Sequence, residues 1–294
     1  MLTDMLGIGI DWGSSNIRAW LLRGDGKPLA EGRLATGLKD ARARGFEHVL
    51  KDVLKLLPDT NGLPAVACGM VGARDGWMEI PYLPCPTDPK AILAGIRAVP
   101  RQALSIIPGL AQHRPNADVM RGEETQLLGI LTKHEGGTIC LPGTHSKWVR
   151  IKDGQVSGFR THATGDTFAA LRSASICAAL TEPSPFDPQA YREGIHHAAR
   201  EPLTSALFQA RSRVVMGHMQ PGEAYWFLSG LLIGAELTSE LESATQPIRL
   251  FADGALHDLY RLAFDTLDCG IDSASADDMT CLGLAHALHH LRGQ

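Results

Sequence analysis

The sequence has no excess of basic residues, no closely spaced cysteine pair and no long apolar run. Its 294 residues include 28 Lys+Arg and 32 Asp+Glu, a formal net charge of -4, whereas nucleic-acid-binding proteins are usually basic. None of the six cysteines forms a CxxC pair, which argues against structural zinc. No apolar run could span a bilayer, and the start MLTDMLGIGIDWG lacks the basic region of a signal peptide. We therefore expect a cytoplasmic protein with no nucleic-acid or membrane partner.

Common phosphate-binding and hydrolase motifs are also absent. There is no G-x-x-x-x-G-K-[ST] sequence, and Trp12 stands where the dinucleotide-binding fingerprint needs its third glycine. No G-x-S-x-G occurs, so a serine-hydrolase elbow is not supported. His286, His289 and His290 have loosely metal-like spacing without an adjacent carboxylate, a pattern typical of a solvated helix face.

The N-terminal residues alternate between apolar runs and turn sequences. The runs at 6–10 and 17–22 predict two strands separated by a Gly-Ser turn at 11–15. Asp25-Gly26 predicts a hairpin turn that leads into an edge strand at 28–33. The order is therefore strand, turn, strand, hairpin turn, strand.

The same order recurs in the second half of the chain. Strands are predicted at 138–141, 147–151 and 155–162, with turns at 142–146 and 152–154, and both copies end in Ala-Thr-Gly, at 35–37 and 163–165. We interpret this as an internal repeat of one supersecondary unit. Helices are predicted at 45–57, 123–133, 167–180, 227–241, 254–265 and 279–291, further strands at 64–71 and 249–252, and an ordered loop at 72–89. Two similar halves of mixed strands and helices predict an α/β fold with two lobes.

The two Gly-bearing turns suit phosphate binding. Backbone N–H groups in such a turn can bind an anion, and Asp11 beside the first turn suits Mg²⁺, which takes few protein carboxylates. An ordinary hairpin turn with a capping Asp explains the same residues. Because Gly143 and Thr144 stand at the equivalent point of the second copy, the two turns together favour phosphoryl transfer. Lys147 would neutralise transferred charge, or face solvent as a strand residue.

Glu123 and Glu124 stand at the start of a predicted helix. Carboxylates are common there because the helix dipole favours them. The functional alternative is a general base that takes the proton from a sugar hydroxyl. The pattern leaves both interpretations open.

These motifs resemble those of a known family. IDWGSSNIRAW resembles the first phosphate motif of the sugar kinase, actin and Hsp70 superfamily. With ACGMVGARDGW, PYLPCP, IIPGL, VMRGEETQLLG, LPGTHSKWV, FRTHATGD and SGLLIGAEL, nearly the whole chain is similar to the 2-dehydro-3-deoxygalactonokinase family. The resemblance implies a two-lobed actin-like ATPase (ribonuclease H-like) fold with duplicated mixed sheets and an interlobe cleft. It implies ATP- and Mg²⁺-dependent phosphorylation of the C6 hydroxyl of 2-dehydro-3-deoxy-D-galactonate, giving 2-dehydro-3-deoxy-6-phosphogalactonate and ADP in galactonate breakdown.

The resemblance also implies that the two lobes have different binding roles. The N-terminal lobe, 1–120, would hold the first phosphate turn and the sugar-acid site. The C-terminal lobe, 121–294, would hold the second phosphate turn and the adenosine site, with a terminal helix at about 279–292 packing back toward the first lobe. The implied ligands are Asp11 for Mg²⁺, Gly13, Ser14 and Ser15 for the transferred phosphate, Gly143, Thr144, His145 and Lys147 for the outer phosphates, and Gly254 for adenosine. Glu123 or Glu124 would be the base, with Glu123 slightly favoured.

Substrate recognition follows from the chemistry of a 2-keto acid. Its planar carboxylate suits arginine, whose guanidinium binds carboxylates through two hydrogen bonds. Candidates are Arg18, Arg74 and Arg160, each equally explained as a surface or ion-paired residue. Trp77 and Tyr82 are candidates for the wall of the sugar site or for packing, Asn16 for hydroxyl contacts, and Asp166, where the family usually has Glu, for Mg²⁺ or substrate contact.

Two alternatives stay open. The protein could be a kinase for another sugar or sugar acid, because the fold alone does not fix the substrate. It could also be a non-catalytic sugar or nucleotide sensor, although the residues before Asp11 leave no room for a helix-turn-helix. Asp11 and the two acidic base candidates favour an enzyme. Whether the chain forms a homo-oligomer is left open.

Overall fold

The computed structural model describes residues 5–131, 136–174 and 182–293. The chain divides into two compact units. The first contains Met1–Gly136, Ile151–Phe159 and Ala274–Gln294, and the second contains Gly137–Arg150 and Arg160–Ser273. These units differ from the sequence division at residue 120, because 121–136 and the C-terminal residues group with the first unit; the division into functional lobes and the interlobe cleft stay predictions.

The first unit is built on a mixed sheet that starts with the predicted strand repeat. Strands β1 (Met5–Trp12), β2 (Ile17–Arg23) and β3 (Pro28–Leu34) form an antiparallel meander. β4 (Ala65–Gly69) pairs parallel to β1, and β7 (Leu104–Ile106) pairs parallel to β4. With β6 (Arg97–Ala98), the described strands follow the order β3-β2-β1-β4-β7-β6. The predicted strands at 6–10, 17–22 and 28–33 are confirmed. The strand predicted at 64–71 is confirmed over Ala65–Gly69, and Met70–Gly72 form a 3₁₀ helix instead.

A second mixed sheet repeats this order. It contains β10 (Gly136–Leu141), β11 (Ser146–Lys152), β12 (Gln155–His162), β13 (Ile248–Phe251) and β14 (Asp272–Ala274), in the order β12-β11-β10-β13-β14. β13 pairs parallel to β10, just as β4 pairs parallel to β1. The predicted internal repeat is therefore confirmed, and so is the α/β fold class. A small third sheet joins β5 (Leu83–Pro84), β8 (Leu110–Gln112) and β9 (Asp118–Met120).

The described helices match the predicted segments only in part. Those that match predicted segments are α2 (Phe46–Leu54), α4 (Glu123–Leu131), α5 (Thr164–Ala174), α8 (Pro221–Leu241), α9 (Gly254–Thr266) and α10 (Ala276–Arg292). The prediction missed α1 (Leu38–Arg44), α3 (Pro89–Ala94), α6 (Pro188–Ala198) and α7 (Leu203–Val215). α5 begins three residues before the predicted start at 167, and the predicted ends at 132–133 and 175–180 lie outside the described residues. None of the described helices is long and apolar enough to cross a membrane.

Each unit has its own apolar core. In the first unit, Ile8, Ile10 and Trp12 of β1 are almost fully buried and pack against α2 and β4 residues. Their alternation along β1 places Gly7 and Gly9 on the opposite face, where side chains Leu284 and Leu288 of α10 pack closely on the strand. The C-terminal helix α10 therefore belongs to the first unit and packs on β1, the strand that leads into the 11–15 turn. In the second unit, Trp148, Tyr191 and Phe264 form the centre of the core.

Candidate active site

The first predicted phosphate turn follows β1 directly. The Gly13 N–H donates to the carbonyl oxygen of Asn16 at 2.9 Å, which closes a tight loop between β1 and β2. Ser14, Ser15 and Asn16 are exposed at its tip. Gly37, the last residue of the first Ala-Thr-Gly, packs so closely beneath the loop that a Cβ there would overlap the carbonyl oxygen of Ser14. Gly37 therefore supports one side of the loop, while Ser14, Ser15 and Asn16 stay exposed to solvent.

Asp11 lies beside this loop in a network of charged side chains. Arg18, its cross-strand neighbour on β2, donates from Nη2 to Asp11 Oδ2 at 2.7 Å and also forms an ion pair with Asp277 on α10. Burial alone would lower the pKa of Arg18, but its bonds and charge interactions with Asp11 and Asp277 raise it overall. Arg18 therefore forms ion pairs with two carboxylates of the protein, as the alternative interpretation of Arg18 predicted.

The donor set at Asp11 fits a cation only in part. No group of three or more potential metal-ligating side chains occurs in the described ranges. Asp11 Oδ1 accepts a weak bond from the Cys68 thiol at 3.8 Å, and its side chain is 23% exposed. Such a carboxylate fits Mg²⁺ that takes its remaining ligands from phosphate oxygens and water.

The two candidate bases stand in different surroundings at the start of α4. Glu123 is partly exposed, and its carboxylate accepts the backbone N–H of Arg121 at 3.1 Å. Glu124 is completely buried and accepts the Gly122 N–H at 2.6 Å and the Thr125 hydroxyl at 3.2 Å. Burial first, and the charge of Glu123 second, raise the pKa of Glu124 to about 8. At neutral pH Glu124 is therefore mostly a neutral acid.

Arg121 lies next to the candidate bases in sequence, and the sequence prediction did not single it out. Its guanidinium stacks over the ring of Tyr82, 4.2 Å from the ring centroid, and donates from Nη2 to the carbonyl oxygen of Ile80 at 2.8 Å. Tyr82 is 39% exposed. Only one indication of Arg121 is present in the sequence, which is that it immediately precedes Gly-Glu-Glu in the motif VMRGEETQLLG.

The other predicted substrate contacts are dispersed. Arg74 is exposed and has no hydrogen-bond or ion-pair partner among the described residues. Arg160, in the second unit, donates to Glu240 at 2.7 Å. Trp77 stacks on Phe46, with ring centroids 5.7 Å apart, and packs against the core of the first unit. Trp77 therefore has the packing role that was its alternative, while its role in substrate binding stays a prediction, as do those of Asn16, Arg18, Arg74 and Arg160.

The second predicted phosphate turn lies between β10 and β11. Thr144 and His145 are exposed, and the Asp166 N–H donates to the carbonyl oxygen of Thr144 at 3.0 Å. Lys147 is buried, and its Nζ donates to the carbonyl oxygen of His145 at 3.1 Å. The interpretation of Lys147 as a strand residue facing solvent was wrong, because its ammonium group folds back onto the turn. Asp166 is exposed at the first turn of α5.

An apolar pocket opens next to this turn, entirely within the second unit. Its volume is about 280 Å³, and its lining includes Gly143, Thr164, Phe168, Tyr225, Trp226 and Tyr260. This lies near the lower end of ligand-pocket volumes and suits a flat aromatic group better than a whole nucleotide. Ala255 and Leu256 of α9 also line it. Gly254, predicted at the adenosine motif, begins α9 with a φ of 56°, so it starts the helix that forms one wall.

A buried carboxylate lies behind the pocket wall. Glu236 of α8 accepts the indole N–H of Trp148 and the hydroxyl of Tyr260, each at 2.9 Å, and also the hydroxyl of Thr164. Tyr260 and Thr164 both line the pocket. One side chain thus joins a pocket wall to the start of α5, the helix that packs on the second turn.

Comparisons with known proteins identify the family of this chain. The family described as 2-keto-3-deoxy-galactonokinase matches residues 11–287. The chain is 36% identical over 290 residues to a protein assigned as a 2-dehydro-3-deoxygalactonokinase in Rhizobium meliloti (strain 1021), covering 95% of each chain. It is 34% identical over 286 residues to the 2-dehydro-3-deoxygalactonokinase of Escherichia coli (strain K12), covering 96% of this chain and 97% of that one.

Solved structures give the same answer about the fold. A crystal structure assigned as a 2-dehydro-3-deoxygalactonokinase protein from Sinorhizobium meliloti aligns with a TM-score of 0.91 at 34% identity, covering 97% of this chain and 99% of that one. The activator of the 2-hydroxyisocaproyl-CoA dehydratase from Clostridium difficile, with bound ADPNP, aligns with a TM-score of 0.56 at 11% identity over 98% of this chain and 96% of that one. This second likeness shows a shared fold alone. The chain belongs to the 2-keto-3-deoxy-galactonokinase family.

Proposed function

We propose that this protein transfers the γ-phosphoryl group of ATP to the C6 hydroxyl of 2-dehydro-3-deoxy-D-galactonate in galactonate breakdown, producing ADP and the 6-phosphate. The observation that carries the proposal is the family match over residues 11–287, which includes the Asp11 turn, the Glu123-Glu124 pair and the second turn. A kinase for another sugar acid is the alternative, because relatives on one fold differ in substrate.

The pocket of the second unit is the proposed adenine site. Phe168, Tyr225 and Trp226 supply aromatic surface, and the Phe168 and Tyr225 rings meet edge-to-face with centroids 5.3 Å apart. A purine stacks favourably on such surfaces. Gly143 borders the pocket, so a nucleotide bound there would place its phosphates along the turn that carries Thr144 and His145.

Asp11 is the proposed carboxylate for Mg²⁺, with the remaining ligands from phosphate oxygens and water. When bound, Mg²⁺ neutralises the charge on the phosphates during transfer. The protein's own contribution is to hold Asp11 in place, which Arg18 does from one side. The backbone N–H groups of the exposed residues Ser14 and Ser15 would bind the transferred phosphoryl group.

Glu123 is the proposed general base. It is partly exposed, whereas Glu124 is sealed from solvent and neutral at physiological pH. In a loose phosphoryl-transfer transition state the base mainly orients the hydroxyl, so an ordinary carboxylate suffices. Glu124 would support the turn by accepting the Gly122 N–H.

The proposal is tested by ADP release from the purified protein with ATP, Mg²⁺ and a panel of acceptors. The panel contains 2-dehydro-3-deoxy-D-galactonate, its gluco epimer, another sugar acid and neutral hexoses. We expect the highest kcat/KM with the galacto keto acid, and none with Asp11→Ala. Turnover of neutral sugars alone would contradict the keto-acid assignment, and no turnover with any acceptor would favour a sensor.

A further inference from the structure

Arg121 has hydrogen-bond donors that the described protein does not use. Its Nη2 donates to the carbonyl oxygen of Ile80, but Nε and Nη1 are both buried and have no hydrogen-bond partner among the described residues. Gly72 makes the room for this group, since a Cβ there would stand 2.9 Å from Nη1. Buried N–H donors without an acceptor are costly, and more so on a cation.

Arg121 also has no carboxylate partner in an ion pair among the described residues. The two nearby acidic residues are engaged otherwise: Glu123 with the backbone N–H of Arg121, and Glu124 with Gly122 and Thr125. Arg18 and Arg160, by contrast, each bind a carboxylate of the protein. Arg74 has no partner but is exposed and pays no desolvation cost. Of these four arginines, Arg121 alone combines burial with unused donors.

We propose that Arg121 binds the carboxylate of the sugar-acid substrate. A carboxylate would supply both the missing acceptor and the missing negative charge, and an arginine donates to it with favourable geometry. Tyr82 fixes the plane of the guanidinium by stacking on it, and Gly109 packs closely against that ring, since a Cβ at position 109 would stand 2.8 Å from a ring carbon.

The position of Arg121 links acid recognition to catalysis. It stands two residues before Glu123, so one short segment carries the group that would bind the acid end and the group that would receive the hydroxyl proton. Nε and Nη1 are buried in the free protein, and Tyr82, which stacks on the guanidinium, is 39% exposed. Substrate binding would therefore shift Tyr82.

This inference rests on the proposed function, and its test compares 2-dehydro-3-deoxy-D-galactonate with its uncharged carboxamide. The carboxamide is measured by kcat/KM where it is phosphorylated and by its inhibition constant where it is only bound. In Arg121→Gln we expect kcat/KM for the acid to fall by roughly 30-fold or more, while the carboxamide changes by less than about threefold. Arg121→Lys keeps the positive charge but loses the planar set of donors, so its kcat/KM for the acid should lie between those of wild type and Arg121→Gln.

Two controls keep a folding defect apart from a lost contact. The exposed Arg97, which donates only to backbone carbonyls, gives the matched variant Arg97→Gln, expected to behave as wild type. The melting temperature and ATP affinity of each variant report on folding. A wild-type preference for acid over carboxamide that persists unchanged in Arg121→Gln would overturn the inference, as would an equal loss for both compounds. If wild type does not phosphorylate the acid at all, the proposed function itself fails.

Discussion

Gly165 packs against Gly143 so closely that a Cβ at position 165 would stand 2.8 Å from the Gly143 carbonyl oxygen. Gly37 has the same relationship to Ser14 in the other copy, where a Cβ would overlap the Ser14 carbonyl oxygen. The two Ala-Thr-Gly sequences of the repeat thus end in the glycine that supports the turn of their own copy. The recurrence of this tripeptide has a steric cause, because any larger residue would push the turn outward.

Replacing either glycine by alanine is expected to displace its turn. Overpacking of this kind costs about 1–3 kcal/mol, and the displaced backbone no longer presents its N–H groups correctly. For Gly165→Ala we expect a lower melting temperature and a KM for ATP raised by about tenfold. Gly270→Ala is the matched control, since nothing lies within 4 Å of a Cβ there. Equal ATP kinetics in Gly165→Ala and Gly270→Ala would show that the turn does not bind nucleotide.

The assignment of the base predicts different effects for two adjacent substitutions. Glu123→Gln should lower kcat by about 100-fold or more, the usual contribution of a general base, with little change in KM for ATP. Glu124→Gln should lower kcat by less than about tenfold, because glutamine resembles the neutral acid present at pH 7. Steady-state kinetics on both variants measure this. The reverse order of effects would transfer the role of the base to Glu124.

Glu124 should also make the stability of the protein depend on pH. Its pKa is about 8 in the folded state against an ordinary value of 4.5, so the folded state holds a proton that the unfolded state releases. The free energy of unfolding therefore contains a contribution that is complete below pH 4.5 and is lost as pH rises through 8.

In Glu124→Gln this dependence should disappear. The free energy of unfolding of the variant, relative to wild type, should increase by roughly 2–4 kcal/mol between pH 5 and pH 8. Urea denaturation of the variant and of wild type at both pH values measures the difference. A constant difference between Glu124→Gln and wild type would mean that Glu124 is already ionised at pH 5.

The strands of the repeat could be predicted from local sequence, whereas the short strands β5 to β9 and β14 and the helices α1, α3, α6 and α7 were missed. β1 to β3 and β10 to β12 are apolar runs between Gly-bearing turns, and these local signals fix both the elements and their repeat. α7 was missed because its helical stripe is weak: it leaves Phe208 and Val215 exposed, so its apolar residues do not follow one face. α6 was missed although Ala190, Tyr191, Gly194 and Ile195 form a buried stripe at helical spacing. Lys147 was misjudged because strand alternation alone does not show that a side chain folds back onto a preceding turn.

The loops of the candidate site could be predicted from local sequence, whereas the partners of its side chains could not; the roles of these residues stay predictions. The turns at Gly13 and Gly143 are visible as local sequence. Whether an arginine is free to bind substrate depends on residues that are distant in sequence. Arg18 forms an ion pair with Asp277 and Arg160 forms one with Glu240, and no local sequence pattern predicts either pair. For the same reason the sequence could not show that Glu124 is buried while Glu123 is partly exposed, since the two residues are adjacent and identical.

The pocket of the second unit gives a last prediction, because two glutamates one turn apart on α8 have different partners. Glu236 binds Thr164 and Tyr260, which line the pocket, whereas Glu240 binds Arg160 and His162, which do not. Both carboxylates are buried. Burial tends to raise the pKa of Glu240, but hydrogen bonds from His162 and the charge of Arg160 lower it overall.

Glu236→Gln replaces one accepting oxygen by an N–H donor that must face a hydroxyl or the Trp148 indole N–H, so at least one buried hydrogen bond is lost. We expect the Kd and KM for ATP to rise by about tenfold, with a smaller change in kcat and in KM for the sugar acid. Glu240→Gln should lower stability to a similar extent and leave ATP affinity within about twofold of wild type. Titration calorimetry with ATP, alongside melting curves, separates the two effects. Equal ATP affinities in the two variants would mean that Glu236 supports the core alone, because only a carboxylate that positions Thr164 and Tyr260 can change nucleotide binding more than its equally buried neighbour.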